Sequence, residues 1–213
     1  MTRSTTERIV IPGPTGNIEL ALDIPAEARG LALVAHPHPL YGGTLDNKVA
    51  HTLARTFRDL GYVAMRPNFR GVGKSEGEHD NGGAETEDMM AVLDYGRERF
   101  CEHAIVLGGF SFGGFVTARV ARRLAESGKP AKRIVLVGAA AGSVPGLRNY
   151  ATEDVPADTI VIHGEVDETV PLNNVIEWAR PQNLPIVLVP GADHFFHGRL
   201  NLLRDIILRA WKD

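Results

Sequence analysis

The stretch Gly108-Gly109-Phe110-Ser111-Phe112-Gly113-Gly114 sets a serine inside a GxSxG pentapeptide, between an apolar β-branched run and a segment of helical periodicity. A serine hydroxyl is a poor nucleophile until a base takes its proton. The pentapeptide therefore calls for a histidine, an acid and an oxyanion-binding site elsewhere in the chain. Glycine and serine are common, so context and partners carry the weight. Asp167 and His194 follow in the order Ser, Asp, His used by nucleophiles on a strand-to-helix turn. His197 competes with His194, and Glu165 and Glu168 compete with Asp167.

The elements that must position these groups are legible as apolar, β-branched runs at residues 31–35, 63–66, 104–108, 134–138, 159–163 and 185–189. Such continuous runs suit strands buried on both faces. Between the first two, Val49, Leu53, Phe57 and Leu60 share a helical face, with Asp46 as N-cap and Gly61 as stop. After Ser111 the pattern repeats through Val116, Val120 and Leu124 until Gly128-Lys129-Pro130. Further helices are expected over 85–100 and near 173–180, with a last one marked by Leu203, Ile207 and Ala210. Alternating strands and helices imply an α/β fold with a mainly parallel sheet and helices on both faces. Residues 8–11 and 18–24, around Pro12-Gly13-Pro14-Thr15-Gly16-Asn17, predict an antiparallel hairpin extending one edge.

Composition narrows the function classes. The 213 residues suit one domain, with 44% hydrophobic and 23% charged residues, ordinary values for a chain with a large core. The formal net charge of -3, with basic residues scattered, argues against nucleic acid as a partner. Residues 1–8 lack an apolar leader, and no later run reaches the roughly 20 residues that span a bilayer. The expectation is a cytoplasmic protein without a membrane partner. The single cysteine, Cys101, excludes an internal disulfide and any multi-cysteine zinc site.

In open sheets of this kind ligands bind beyond the carboxyl ends of the strands. Those ends carry His36-Pro37-His38-Pro39, Asn68-Phe69-Arg70-Gly71, Gly109-Phe110-Ser111, Gly164-Glu165-Val166-Asp167 and Gly191-Ala192-Asp193-His194. With HPHPLYGG at 36–43, NFRGVGKSEG at 68–77, GFSFGG at 109–114, HGEVDETVP at 163–171 and GADHFF at 191–196, nearly the whole chain resembles the α/β-hydrolase superfamily. It looks most like the small dienelactone-hydrolase-like group that lacks a cap domain. The resemblance implies a Ser111-His194-Asp167 triad and an acyl-enzyme mechanism; it implies no particular substrate.

The roles follow from physical chemistry. Ser111 sits in a strained turn, where a Cβ at Gly109 or Gly113 would crowd the packed strand and helix. His194 would take the Ser111 proton and pass it to the leaving group, and Asp167 would hold the imidazole tautomer. The Phe112 N–H, opening the next helix, is the expected first oxyanion donor. Pro37 and Pro39 have no N–H, which leaves His38, Leu40 or Tyr41 for the second; Leu40 is favoured.

Other readings compete. Gly71-Val72-Gly73-Lys74-Ser75 ends like a phosphate loop, but position 68, where its first glycine belongs, is Asn. His36-x-His38 has the spacing of a metal pair, although flanking prolines suit a rigid loop better. His163 reads as a hydrogen-bonded core histidine, and Arg70 as structural, paired with an acid such as Glu76 or Glu87, with recognition of a substrate carboxylate as its alternative. The connection 139–158 has only 20 residues, too few for a helical cap. An open site is therefore expected, lined by Leu40, Tyr41, Phe110, Phe112, Phe195 and Phe196, with core packing the alternative for Phe110 and Phe195. The sequence thus points to a cofactor-independent, metal-free serine hydrolase of small acyl substrates: carboxylic esters, with thioesters or lactones also open. A non-catalytic scaffold and transfer to another acceptor are the alternatives. A homodimer stays open.

Overall fold

The expected N-terminal hairpin forms one edge of the sheet. Strands β1 (Thr5–Pro12) and β2 (Asn17–Ile24) pair antiparallel, with Thr5 opposite Ile24 and Pro12 opposite Asn17. The structure is a computed structural model that describes residues 5–101 and 104–212. Residues 1–4, half of the segment expected to lack a leader, lie outside the described residues.

Six further strands complete the main sheet: β3 (Gly30–Ala35), β4 (Tyr62–Pro67), β5 (Ile105–Phe110), β6 (Arg133–Val137), and, after a short ribbon, β9 (Ile160–Gly164) and β10 (Ile186–Val189). The ribbon pairs β7 (Gly142–Ser143) with β8 (Asn149–Tyr150). It fills the connection where larger relatives of the resembled family carry a lid, and the described residues there form no helix. The sheet order is β1-β2-β4-β3-β5-β6-β9-β10. β2 meets β4 antiparallel, and every pair from β4 to β10 is parallel.

Period-two alternation divides the core between the two faces. Leu31, Leu33 and Ala35 of β3 join one apolar cluster, and Ala32 and Val34 join the other. The first cluster is roofed by α2 (Gly83–Phe100), α3 (Phe112–Glu126) and α4 (Leu172–Ala179), through Met89, Val92, Val116, Val120 and Val175. The second is roofed by α1 (Lys48–Asp59) and α5 (Leu200–Ala210), through Val49, Leu53, Phe57, Leu203 and Ile207. Burying one such Leu or Phe side chain contributes about 1.5–3 kcal/mol, so these two layers hold the strand ends in register. Among the described residues no helix is long and apolar enough to cross a membrane.

Two local expectations are corrected. The N-cap of α1 is Asn47, whose side chain accepts the Val49 and Ala50 N–H groups, whereas Asp46 pairs with Arg8. Strand β5 does not stop at Gly108 but runs to Phe110. There Gly108 leaves room for the Phe57 ring, and Gly109 for Gly113 and Thr117 of α3.

Candidate active site

Ser111 occupies the turn between β5 and α3, with φ 58° and ψ -122°. A non-glycine residue held there costs about 1–3 kcal/mol. The surroundings enforce it: Ser111 N–H donates to the Val137 carbonyl at 3.0 Å, while its own carbonyl accepts from Gly114 at 2.8 Å and Ala140 at 3.1 Å. A Cβ on Gly113 would overlap the carbonyl oxygens of Ala35 and His36, and one on Gly109 would overlap Gly113 and Thr117. Both glycines are therefore required by backbone contact, and the end of β3 is held against the first turn of α3.

The loops after β9 and β10 are bonded to each other. Glu165 and Val166 N–H groups donate to the carbonyls of Val189 and Ala192, and the Glu165 carboxylate accepts the Gly191 N–H at 2.8 Å. This brings Asp167 and His194 together beneath Ser111. His194 Nε2 lies 3.0 Å from Ser111 Oγ, and its Nδ1 lies 2.7 Å from Asp167 Oδ2. The other carboxylate oxygen accepts the Thr169 and Val170 N–H groups at 2.9 and 2.8 Å. All three residues are buried.

Two of the competing residues, His197 and Glu165, are engaged elsewhere. His197 is exposed and pairs with Asp193, and Glu165 is spent on Gly191. His163, fully buried, donates from Nε2 to the Val170 carbonyl at 3.0 Å; burial, the largest cause, lowers its pKa. In His36 the Nδ1–H donates to the Pro37 carbonyl at 2.7 Å and Nε2 accepts the Phe69 N–H at 2.9 Å. Both ring nitrogens are thereby used, and burial pushes its pKa down to about 4. The glycine-rich turn at 71–75 is filled by the chain's own acid, since Glu19 Oε2 accepts from Lys74 N–H and Asn68 Nδ2.

Arg70 does not pair with Glu76 or Glu87. Its Nε and Nη2 each meet an oxygen of Asp88 at 2.9 Å, whereas Glu76 takes the Asn17 N–H and Glu87 pairs with Arg123. Leu40 is also displaced from its expected place. Residues Pro39–Tyr41 form a 3-10 turn in which the Leu40 N–H donates to His38 Nδ1 at 3.3 Å and the Tyr41 N–H to the His38 carbonyl. Proline at the start of that turn favours this coil over an extended loop.

Of the expected lining residues, Leu40, Tyr41 and Phe195 are exposed, while Phe110, Phe112 and Phe196 are buried. Phe110 stacks on the His194 ring at 4.8 Å and Phe195 meets it at 5.1 Å. Near Phe112 the fold also gathers His38, His79, Arg148 and Tyr150. Sequence reasoning missed His79, Arg148 and Tyr150, because they lie on separate loops and a short ribbon with no shared spacing.

Similarity to other proteins follows the same lines. Residues 40–156 match a family described as alpha/beta hydrolase fold. A solved structure from Coxiella burnetii, described as an alpha-beta serine hydrolase homologue, is 36% identical with a TM-score of 0.85 and covers 97% of each chain. One from Xanthomonas campestris, described as an a/b serine hydrolase without lid, is 32% identical with a TM-score of 0.85, covering 99% of this chain and 94% of that one. An uncharacterized protein of Rickettsia prowazekii is 30% identical over 199 residues, covering 89% of this chain and 82% of its own. With a strained serine turn on the central strand and these relatives along its whole length, the chain belongs to the α/β-hydrolase fold family.

Proposed function

We propose that the protein is a serine hydrolase of carboxylic esters, with thioesters and lactones as further substrates, working through an acyl-enzyme on Ser111. The observation that carries this reading is the continuous relay from Ser111 Oγ through His194, at 3.0 Å, to Asp167 at 2.7 Å. Asp167 accepts the Nδ1–H and so leaves the His194 Nε2 lone pair facing the hydroxyl. As Oγ attacks the carbonyl carbon, Nε2 takes the hydroxyl proton and then gives it to the departing alkoxide. Water repeats the sequence on the acyl-enzyme and frees the acid.

The tetrahedral oxyanion needs donors already in place. Phe112 is the first residue of α3, and its N–H belongs to the first-turn groups that lack an intrahelical acceptor. For the second donor the reading moves from Leu40 to His38. The Leu40 and Tyr41 N–H groups are spent inside the 3-10 turn. The Pro37 carbonyl is tied to the His36 ring, so the trans Pro37–His38 peptide turns its N–H the opposite way. Losing one such donor costs about 100- to 1,000-fold in rate.

The test is fluorophosphonate labelling with intact mass, alongside hydrolysis of short p-nitrophenyl esters, for wild type and Ser111→Ala. Wild type should gain one adduct and turn over the esters; Ser111→Ala should do neither. Equal labelling of both would remove Ser111 as nucleophile, and a folded wild type inert in both assays would favour a scaffold.

A further inference from the structure

Beside Phe112, and outside the triad, lies a recess of about 180 Å3 whose wall includes His38, Tyr41, His79, Arg148 and Tyr150. It shares His38 with the proposed oxyanion site, and the His38 ring centroid is 4.9 Å from that of Phe112, 4.8 Å from His79 and 4.9 Å from Tyr41. Arg148, on the turn between β7 and β8, reaches over this wall. Its guanidinium carbon lies 4.6 Å above the Tyr150 ring and 5.1 Å from that of Phe115.

The charge balance of this recess is uneven. Arg148 Nη2 donates to the Asn81 carbonyl at 2.6 Å, a neutral acceptor, and among the described residues Arg148 forms no ion pair with a carboxylate. Its Nε is buried without a hydrogen-bond partner, and the buried Tyr150 hydroxyl faces the same guanidinium rather than an acid. The nearby acid, Glu85, is fully buried and already accepts from the Asp80 and Gly82 N–H groups, each at 2.8 Å, and its Oε1 lies 2.7 Å from His79 Nδ1. His38 adds a donor rather than an acceptor. Its Nδ1 accepts the Leu40 N–H, which puts the ring proton on Nε2, and burial, His79 and Arg148 together hold its pKa down to about 4. A buried Nε without a partner, on an arginine with no paired acid, is costly in isolation. A planar guanidinium fork is suited to a carboxylate.

We propose that this recess is a subsite for a carboxylate carried by the ester substrate, with Arg148 as its counter-charge and His38 linking it to the oxyanion site. The inference rests on the ester-hydrolase reading above and adds a substrate class to it.

The test compares monoacid and diacid esters of equal chain length, p-nitrophenyl hexanoate and octanoate against mono-p-nitrophenyl adipate and suberate. Wild type should prefer at least one diacid ester by about tenfold or more in kcat/KM at low salt. Arg148→Met should erase that preference chiefly by raising KM for the diacid ester, Arg148→Lys should keep part of it, and Tyr150→Phe should reduce it. Urea unfolding of each variant shows whether the fold is intact. A wild-type ratio at or below one would overturn the subsite, as would a ratio unchanged in folded Arg148→Met and Tyr150→Phe. The hydrolase reading fails separately, and this inference with it, if wild type forms no fluorophosphonate adduct and hydrolyses none of the four esters.

Discussion

Gly113 and His36 touch through their backbones: a Cβ on the glycine would overlap the His36 carbonyl oxygen. This contact presses the loop after β3 onto the start of α3, and so sets the distance between the two proposed oxyanion donors. Gly113→Ala must push them apart. The expected result is a loss of about 100-fold or more in kcat/KM with a stability cost of roughly 1–3 kcal/mol, read by ester hydrolysis and urea unfolding. Wild-type activity in Gly113→Ala would mean that the loop tolerates displacement and supplies no donor.

Asp167 accepts one ring N–H and two backbone N–H groups. Asp167→Asn keeps the volume but can present an NH2 to His194, which then favours the tautomer with its proton facing Ser111. The expected fall in kcat is about 10,000-fold with little change in unfolding midpoint. A fall of only a few fold would mean that another acid, Glu165 or Glu168, orients the imidazole.

Much of this site was readable because Ser111 and Asp167 follow β5 and β9, strands buried on both faces that appear as unbroken apolar runs; β10, before His194, gives the same apolar run although Val187 and Leu188 are exposed at the sheet edge. The departures share a different cause. Asn47 and Asp46 are equally good caps by type, and only the Arg8 partner of Asp46 decides between them. The apolar run before Ser111 reads as ending at Gly108, but β5 continues through Gly109 to Phe110, where the Phe57 ring and the α3 backbone pack against the two glycines. The Leu40 N–H is taken by a local bond with the His38 ring, and Arg148 lies over the Tyr150 ring from a ribbon turn without periodicity. Long-range partners, rather than local pattern, settle each of these.

Arg70 and Asp88 form a bidentate pair with side chains only 7% and 5% exposed. Burial, the largest cause, raises the Asp88 pKa even against the arginine beside it. Removing one partner strands the other charge, so Asp88→Leu should cost about 3–5 kcal/mol in urea unfolding. The double variant Arg70→Met, Asp88→Leu should recover most of that. Equal losses in the single and double variants would mean that the Ala84 carbonyl, 3.0 Å from Arg70 Nη2, rather than the ion pair, is what Arg70 secures.

His36 gives the fold an acid sensitivity of known sign. In the folded chain burial holds its pKa down to about 4, against an ordinary value of 6.5. Between those values the unfolded chain binds the extra proton, so unfolding free energy rises with pH across that window. The stabilisation is therefore complete above about pH 6.5 and is lost as pH falls toward 4, by about 3 kcal/mol in all and about 1 kcal/mol by pH 5.5. His38 and His163 are lowered too and add to the same slope. His36→Gln removes only one of the three contributions. Its stability at pH 7 should be lower, since the bonds to Pro37 and Phe69 are altered, yet its decline between pH 7 and 5.5 should be shallower by about 1 kcal/mol. Urea unfolding at both pH values measures the difference directly. A decline as steep as that of wild type would assign the sensitivity to the remaining histidines and show that His36 can be protonated in place.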